Sequence, residues 1–357
     1  MTGHVQNKHI YGLDILRVIS ALAVMFYHFF FRGEAAGDLP ELFLPDAVKT
    51  ITSYGYLGVS IFFIISGFVI SYSAEGKKPF DFLISRFVRI YPTFLIVMSM
   101  TAAIMVMSSN PLFPVDASQY VANLFIFSLV LHQPFVDGVY WSIVLEIVFY
   151  GWVFIAIALG QFQNILKIIP FWIAFSFANE FYIGSTNLQN LFVTEYCGFF
   201  SLGIVLHRLR REFSYYALAL LVLATVYSIF TSTTGAVWFE QTYSVELSKT
   251  AIAAIVVLSI AVFIIFIRLE INHDYRRLLS ILGGATYSFY LVHQNIGYIS
   301  ITKLLEVLST YGAIAVTSVG LVVFSITYHV AVERQVNPAI KNRLLALFTR
   351  SKRTALT

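Results

Sequence analysis

The chain has 357 residues, 58% of them hydrophobic and 12% charged, with a net charge of +4 and a mean hydropathy of +0.78. A soluble globular domain carries about 25% charged residues, so this composition cannot clothe a water-facing surface and excludes a soluble enzyme. The single cysteine, Cys197, excludes an internal disulfide framework and a cysteine-rich metal site.

Crossing a ~30 Å hydrocarbon core takes about 20 apolar residues. Stretches near that length are expected to span at 13–32, 54–73, 84–107, 140–159, 165–180, 188–207, 214–233, 249–267, 280–300 and 311–332. The segment 120–137 is apolar but short and ends in His132-Gln133-Pro134. Charge decides its placement, because basic residues collect on the cytoplasmic side. With ten spans and both termini cytoplasmic, 19 of the 23 basic residues face inward, including Lys8, Lys77, Lys78, Arg208, Arg210 and Arg211. Only Arg32, Lys49, Lys249 and Lys303 face outward. A crossing at 120–137 would invert every later loop, so this segment is expected to be re-entrant or interfacial on the outer side. The acidic loop 33–53 supports the same orientation. The expected fold class is therefore all-α: a polytopic membrane helix bundle of about ten transmembrane helices. One membrane domain is expected over 1–340, with a basic cytoplasmic tail over 341–357 lying on the anionic leaflet. The first apolar stretch is full length and interrupted by charge, unlike a cleaved signal peptide.

Ionisable groups inside a span are costly and mark function by default. In the first span, Arg17 and His28 are eleven residues apart, which places them about 20° apart on one helix face and about 16 Å apart in depth. Ala21 and Val24 lie between them, and Asp14 joins the face. A surface of compact side chains between two polar groups suits a narrow ligand arm. Its bland alternative is an Asp14–Arg17 interface pair and a histidine in a helix contact. Arg86 and Arg89 share one helical face at the inner mouth of the third span, where two guanidiniums suit phosphate; positive-inside anchoring explains them equally simply. Ser142, Glu146 and Tyr150 form a stripe at helical spacing beside Trp141. Glu146 and His28 sit at similar depth, so a carboxylate orienting an imidazole is expected. His293 falls at that depth too, with Tyr290 one turn before it. No helix carries paired ligands at His-x-x-x-His spacing, so no metal is expected. Glu195, His207, His132, His329 and Cys197 read as structural, and no phosphate loop, nucleophile elbow or nucleic-acid motif is present.

These segments, in this order, resemble the membrane acyltransferase-3 family of polytopic O-acyltransferases. Leu13-Asp14-Ile15-Leu16-Arg17 with His28 is similar to its Arg-x10-His. Gly58 to Phe68 is similar to its second-helix signature, and Ser85 to Pro92 to its Arg-x-x-Arg segment. Trp141-Ser142 with Glu146, Phe149 and Tyr150 resembles a further motif. Tyr287 to His293 and Val332-Glu333-Arg334 resemble its last helices. Ile147 and Gln335 depart from the usual pattern.

The resemblance implies transfer of an acyl group, usually acetyl, from cytoplasmic acyl-CoA to a hydroxyl of a carbohydrate, glycolipid or cell-envelope glycan outside, in a bacterial inner membrane. On that reading His28, Arg17 and Glu146 are catalytic, and Arg86 and Arg89 bind the donor. His293, Tyr290, Ser142, Trp141 and Asp14 line the acceptor side or support the site. The competing class is a transporter or flippase, in which buried His, Arg and Glu form a substrate path; such proteins often carry inverted repeats and broken helices in matching positions, and neither is visible in the sequence.

Overall fold

The computed structural model describes residues 9–354, so Lys8 and residues 355–357 of the expected tail lie outside the described residues. Every described element is helical. Seven helices are long and apolar enough to cross a membrane: Tyr11–Ala35, Asp46–Ala74, Pro79–Ser108, Tyr140–Ala158, Tyr215–Tyr243, Lys249–Phe266 and Thr310–Leu347. They coincide with seven of the ten expected spans. Val226, Leu258 and Val319 on the outer faces of the bundle stay exposed, which suits lipid rather than water. The chain is an integral membrane protein.

Regular α-helix runs through α1 (Tyr11–Tyr27), α2 (Gly58–Ala74), α3 (Pro79–Ser108), α4 (Tyr140–Ala158), α5 (Ile165–Ala178), α6 (Cys197–Arg211), α7 (Tyr215–Tyr243), α8 (Lys249–Phe266), α9 (His273–Val292), α10 (Asn295–Leu305), α11 (Thr310–Tyr328) and α12 (Arg334–Thr354). Three expected spans differ from the seven. The span at 165–180 is α5, whose 14 residues are extended by a π-turn, Asn179–Ile183. The span expected at 188–207 begins later. A short helix, Thr186–Phe192, ends at Val193 in the left-handed region (φ 53°), and α6 starts only at Cys197. The span at 280–300 is broken into α9 and α10 at His293-Gln294.

Without a hydrophobic force between helices in lipid, close contact comes from small residues. Gly67 on α2 and Gly203 on α6 show this: a methyl group at either would lie 2.1 Å from a backbone oxygen of the partner helix, Phe200 and Ile64 respectively. Gly283 on α9 is equally closed, since a Cβ there would meet the Asp14 side chain of α1 at 2.4 Å. The glycine therefore brings α9 onto the polar face of α1.

The segment 120–137 does not cross. It holds one short helix, Ala117–Asn123, and a turn of 3-10 helix, Ser128–Leu131. Asn123 folds it back on itself, donating to the carbonyls of Gln119 (2.8 Å) and Pro134 (2.9 Å) and accepting from the Val136 amide (3.1 Å). Asp137 then bolts this loop to the α9–α10 break by accepting from the backbone amides of Asn295 (2.9 Å) and Val139 (3.1 Å). The freed amide at the break thus finds a partner, as a helix interrupted inside a membrane protein requires.

Candidate functional site

α1 sets the site. Asp14, Arg17, Ala21, Val24 and His28 lie along it, and all but Arg17 are buried. Asp14 accepts from Arg17 Nη1 (2.9 Å) and from His9 Nε2 (2.5 Å). α1 ends in a π-turn, His28–Arg32; such single turns are common at functional positions.

The histidines meet. The rings of His28 and His293 are 4.9 Å apart at 70°, edge to face. His293 Nδ1 lies 2.8 Å from the Tyr290 carbonyl. A carbonyl only accepts, so His293 carries its hydrogen on Nδ1, and its buried Nε2 has no hydrogen-bond partner.

His28 is fixed by Tyr298 of α10. A phenol has one proton and two lone pairs. Tyr298 Oη receives a hydrogen bond from Arg32 Nη1 (3.4 Å) and lies 3.3 Å from the His28 carbonyl, to which it donates. Its proton is then used, so the 3.1 Å contact with His28 Nδ1 has the imidazole as donor. This bookkeeping assigns the Nδ1–H tautomer and leaves the Nε2 lone pair of His28 unclaimed by any described side chain. Arg32 is itself held by Asp38 at 2.5 Å.

His28 lines a cavity of about 1430 Å³. Aromatic rings of Trp141, Tyr196 and Trp238 share its wall with Glu180, Gln189 and Glu195. His293 does not reach that wall; it backs His28. A second, smaller cavity of about 80 Å³ lies toward the start of α1. Arg17, Arg86, Arg89, Glu146 and Tyr150 line it. Val59 and Tyr290 line both cavities and form the partition between them. Tyr290 Oη is 2.7 Å from Ser142 Oγ, tying α9 to α4 across that partition.

Glu146 belongs to the smaller cavity. Its carboxylate accepts from Ser66 Oγ (3.0 Å) and from the Tyr150 hydroxyl. The expected Glu146–His28 pair is therefore replaced by Glu146–Tyr150–Ser66 and His28–Tyr298–Arg32. Equal depth along two helices does not fix which way each side chain turns. Arg86 sits over the ring of Tyr150 at 5.7 Å. Among the described residues neither Arg86 nor Arg89 pairs with a carboxylate, and no three His, Cys, Asp or Glu side chains converge as metal ligands do. The remaining motif residues hold the frame: Tyr287 Oη donates to the Ile90 carbonyl (3.0 Å), and buried Glu333 accepts from Thr93 (3.0 Å) and pairs with His329 (2.6 Å).

Sequence reasoning missed Tyr298 and Arg32, and set Glu195 aside although it lines the larger cavity. Arg32 carried a signal in being one of few basic residues on its side; Tyr298, one of 21 tyrosines, carried none.

The helix bundle thus sets an imidazole on one cavity and three arginines, a lining suited to an anionic ligand, on another. The match to known proteins makes the class specific. Residues 10–329 fit the model of the acyltransferase-3 family, described as an acyltransferase domain, and the chain belongs to that family. Over 150 residues it is 30% identical to "Acyltransferase MdmB" of Streptomyces mycarofaciens, a match covering 39% of this chain and 37% of that one. No solved structure matches the chain.

Proposed function

We propose that this acyltransferase moves an acyl group, acetyl in the simplest case, from cytoplasmic acyl-CoA to a hydroxyl of a carbohydrate or glycoconjugate at the extracytoplasmic side of a bacterial inner membrane. One observation carries the reading: Arg17 and His28, on one face of α1, open into two different cavities that meet at Tyr290 and Val59. The arginine cavity is the donor side and the His28 cavity the acceptor side. The basic ends of α3 and α6 face the cytoplasm in this orientation.

Arg86 and Arg89 hold the donor's diphosphate, for which unpaired guanidiniums are suited. The thioester arm follows α1 past Arg17 toward His28, which requires Tyr290 and Val59 to part. His28 Nε2 takes the proton of the acceptor hydroxyl as its oxygen attacks the thioester carbonyl. The carbon–sulfur bond breaks, and the departing thiolate takes that proton back from the imidazolium, leaving ester and free coenzyme A. Tyr298 and Arg32 keep the proton-free nitrogen of His28 toward the acceptor. Glu146 balances the charge of the arginine cavity, and Asp14 steadies Arg17. The acceptor wall combines aromatic faces with carboxylate and amide oxygens, the mixture that suits a sugar ring and its hydroxyls.

Mass spectrometry of envelope glycans from cells with and without the protein tests the reading. An acyl-ester mass increment present only with the protein is expected. Identical glycans, together with no release of thiol from acetyl-CoA by the purified protein, would leave a transport role as the better account.

A further inference from the structure

A second set of cations lies apart from the arginine cavity. A cleft of about 380 Å³ is lined by Tyr11, His273, Arg276, Arg277, Ser280 and Arg334, among others. It joins the start of α1, the start of α9 and the start of α12. Arg276 is oriented: its guanidinium lies 5.7 Å over the Tyr11 ring, and its Nε donates to the Ile271 carbonyl at 3.1 Å. Its remaining N–H groups are available to the cleft. Among the described residues none of these three arginines forms an ion pair with a carboxylate. Glu333, beside Arg334, is buried and committed to Thr93 and His329.

Position along α1 gives the cleft its meaning. Tyr11 precedes Arg17 by six residues, about 9 Å along the axis, and His28 lies about 16 Å beyond Arg17 on the other side. The order is three-arginine cleft, arginine cavity, imidazole. An acyl-CoA has the same order of groups: the 3′-phosphate on its ribose, then the diphosphate, then the thioester.

Resting on the donor reading above, we propose that the Arg276–Arg277–Arg334 cleft is a phosphomonoester site, taking the 3′-phosphate at the nucleotide end of the acyl-CoA. Arginine forks suit a dianionic phosphate better than they suit bare positive-inside anchoring, which lysine serves equally well. A lipid headgroup phosphate is the other source of the same chemistry, and the donor's own structure separates the two.

The experiment compares acetyl-CoA with acetyl-dephospho-CoA, which lacks only the 3′-phosphate, for full-length protein in phosphatidylcholine nanodiscs. Wild type is expected to favour acetyl-CoA by about tenfold or more in kcat/KM, through KM, as the loss of one charged hydrogen-bond set implies. Arg277→Glu with Arg334→Glu should raise KM for acetyl-CoA by a similar factor and leave KM for the dephospho donor nearly unchanged. Arg277→Gln with Arg334→Gln repeats the test without reversed charge, should the first pair fail to insert. Equal losses for both donors, or no preference in wild type, would overturn the site and assign the cleft to lipid or topology. If wild type turns over neither thioester, the donor reading fails and the phosphate site falls with it.

Discussion

Nδ1 of His28 and the hydroxyl of Tyr298 lie 3.1 Å apart although 270 residues separate them in the chain. Their contact sets which nitrogen of the imidazole is bare. Tyr298 is fully buried, its ring is 6.0 Å from that of Phe113, and its oxygen is held by Arg32. On the proposed function it is therefore a positioning residue. Tyr298→Phe preserves the ring and removes the hydroxyl. The expected result is a fall of about tenfold in kcat, corresponding to one lost hydrogen bond to the reacting group, with both KM values little changed. Nitrogen-15 NMR of the histidines provides an independent readout: the wild-type His28 signal should be that of an Nδ1–H tautomer, and the Tyr298→Phe signal a mixture. An Nε2–H signal in wild type would contradict the assignment.

Tyr290 works as a partition. Its ring separates the two cavities and its hydroxyl is tied to Ser142. Tyr290→Ala should join the cavities, admit water to the thioester and raise acceptor-independent hydrolysis of acetyl-CoA several-fold while lowering transfer. Tyr290→Phe, which keeps the ring, should retain most of the coupling. Thiol release measured with and without acceptor separates these outcomes. Unchanged hydrolysis in the alanine variant would mean that the partition lies elsewhere.

On the proposed function, Arg86 and Arg89 would hold the donor through charge. Arg86→Glu with Arg89→Glu should abolish binding of coenzyme A, measured by titration calorimetry in nanodiscs. In wild type the affinity should weaken as salt rises, because screening shortens the reach of exposed charge. Undiminished binding in the variant would reduce both arginines to topology anchors.

At the basic end of the bundle, Glu75 after α2 pairs with Arg211 at the end of α6. The Arg211 hydrogen bond holds the Glu75 carboxyl below its ordinary value. A depressed carboxylate contributes stability that is present above its unfolded pKa and is lost as pH falls through the folded one. Both side chains are half exposed, so the contribution is small, about 0–1 kcal/mol for pairs of this kind. Glu75→Gln should change the melting temperature little at neutral pH, and the difference from wild type should vanish as pH falls through the lowered Glu75 pKa. A large loss at neutral pH would show that the pair holds the two helices together.

Much of the frame was legible because lipid imposes it. Spans were found from length and apolarity, and the failure of 120–137 to cross followed from the basic residues after it. A common face for Arg17 and His28 is what helical spacing leads one to expect; Arg17 on α1 and His28 in the π-turn that continues it line two different cavities. The partner of Glu146 was not legible. Counting along two helices gives depth, whereas the turn of each helix about its axis, set by packing such as Gly283 against Asp14, decides which side chains meet. The late start of α6 was hidden for another reason: Val193 takes a left-handed conformation that a β-branched residue rarely adopts. The break at His293-Gln294 contains no Gly or Pro; it is held open by Asp137, a residue distant in sequence.

On the proposed function, His28 performs the proton transfer. Thiol release and acyl transfer from radiolabelled acetyl-CoA should be measured for wild type and His28→Ala in the same nanodiscs, with coenzyme A binding as the control for folding. The expected result is loss of transfer by at least about a hundredfold, the usual contribution of a general base, with coenzyme A still bound. Transfer at wild-type rate by His28→Ala would show that His28 does not move the proton and would shift the chemistry to another residue.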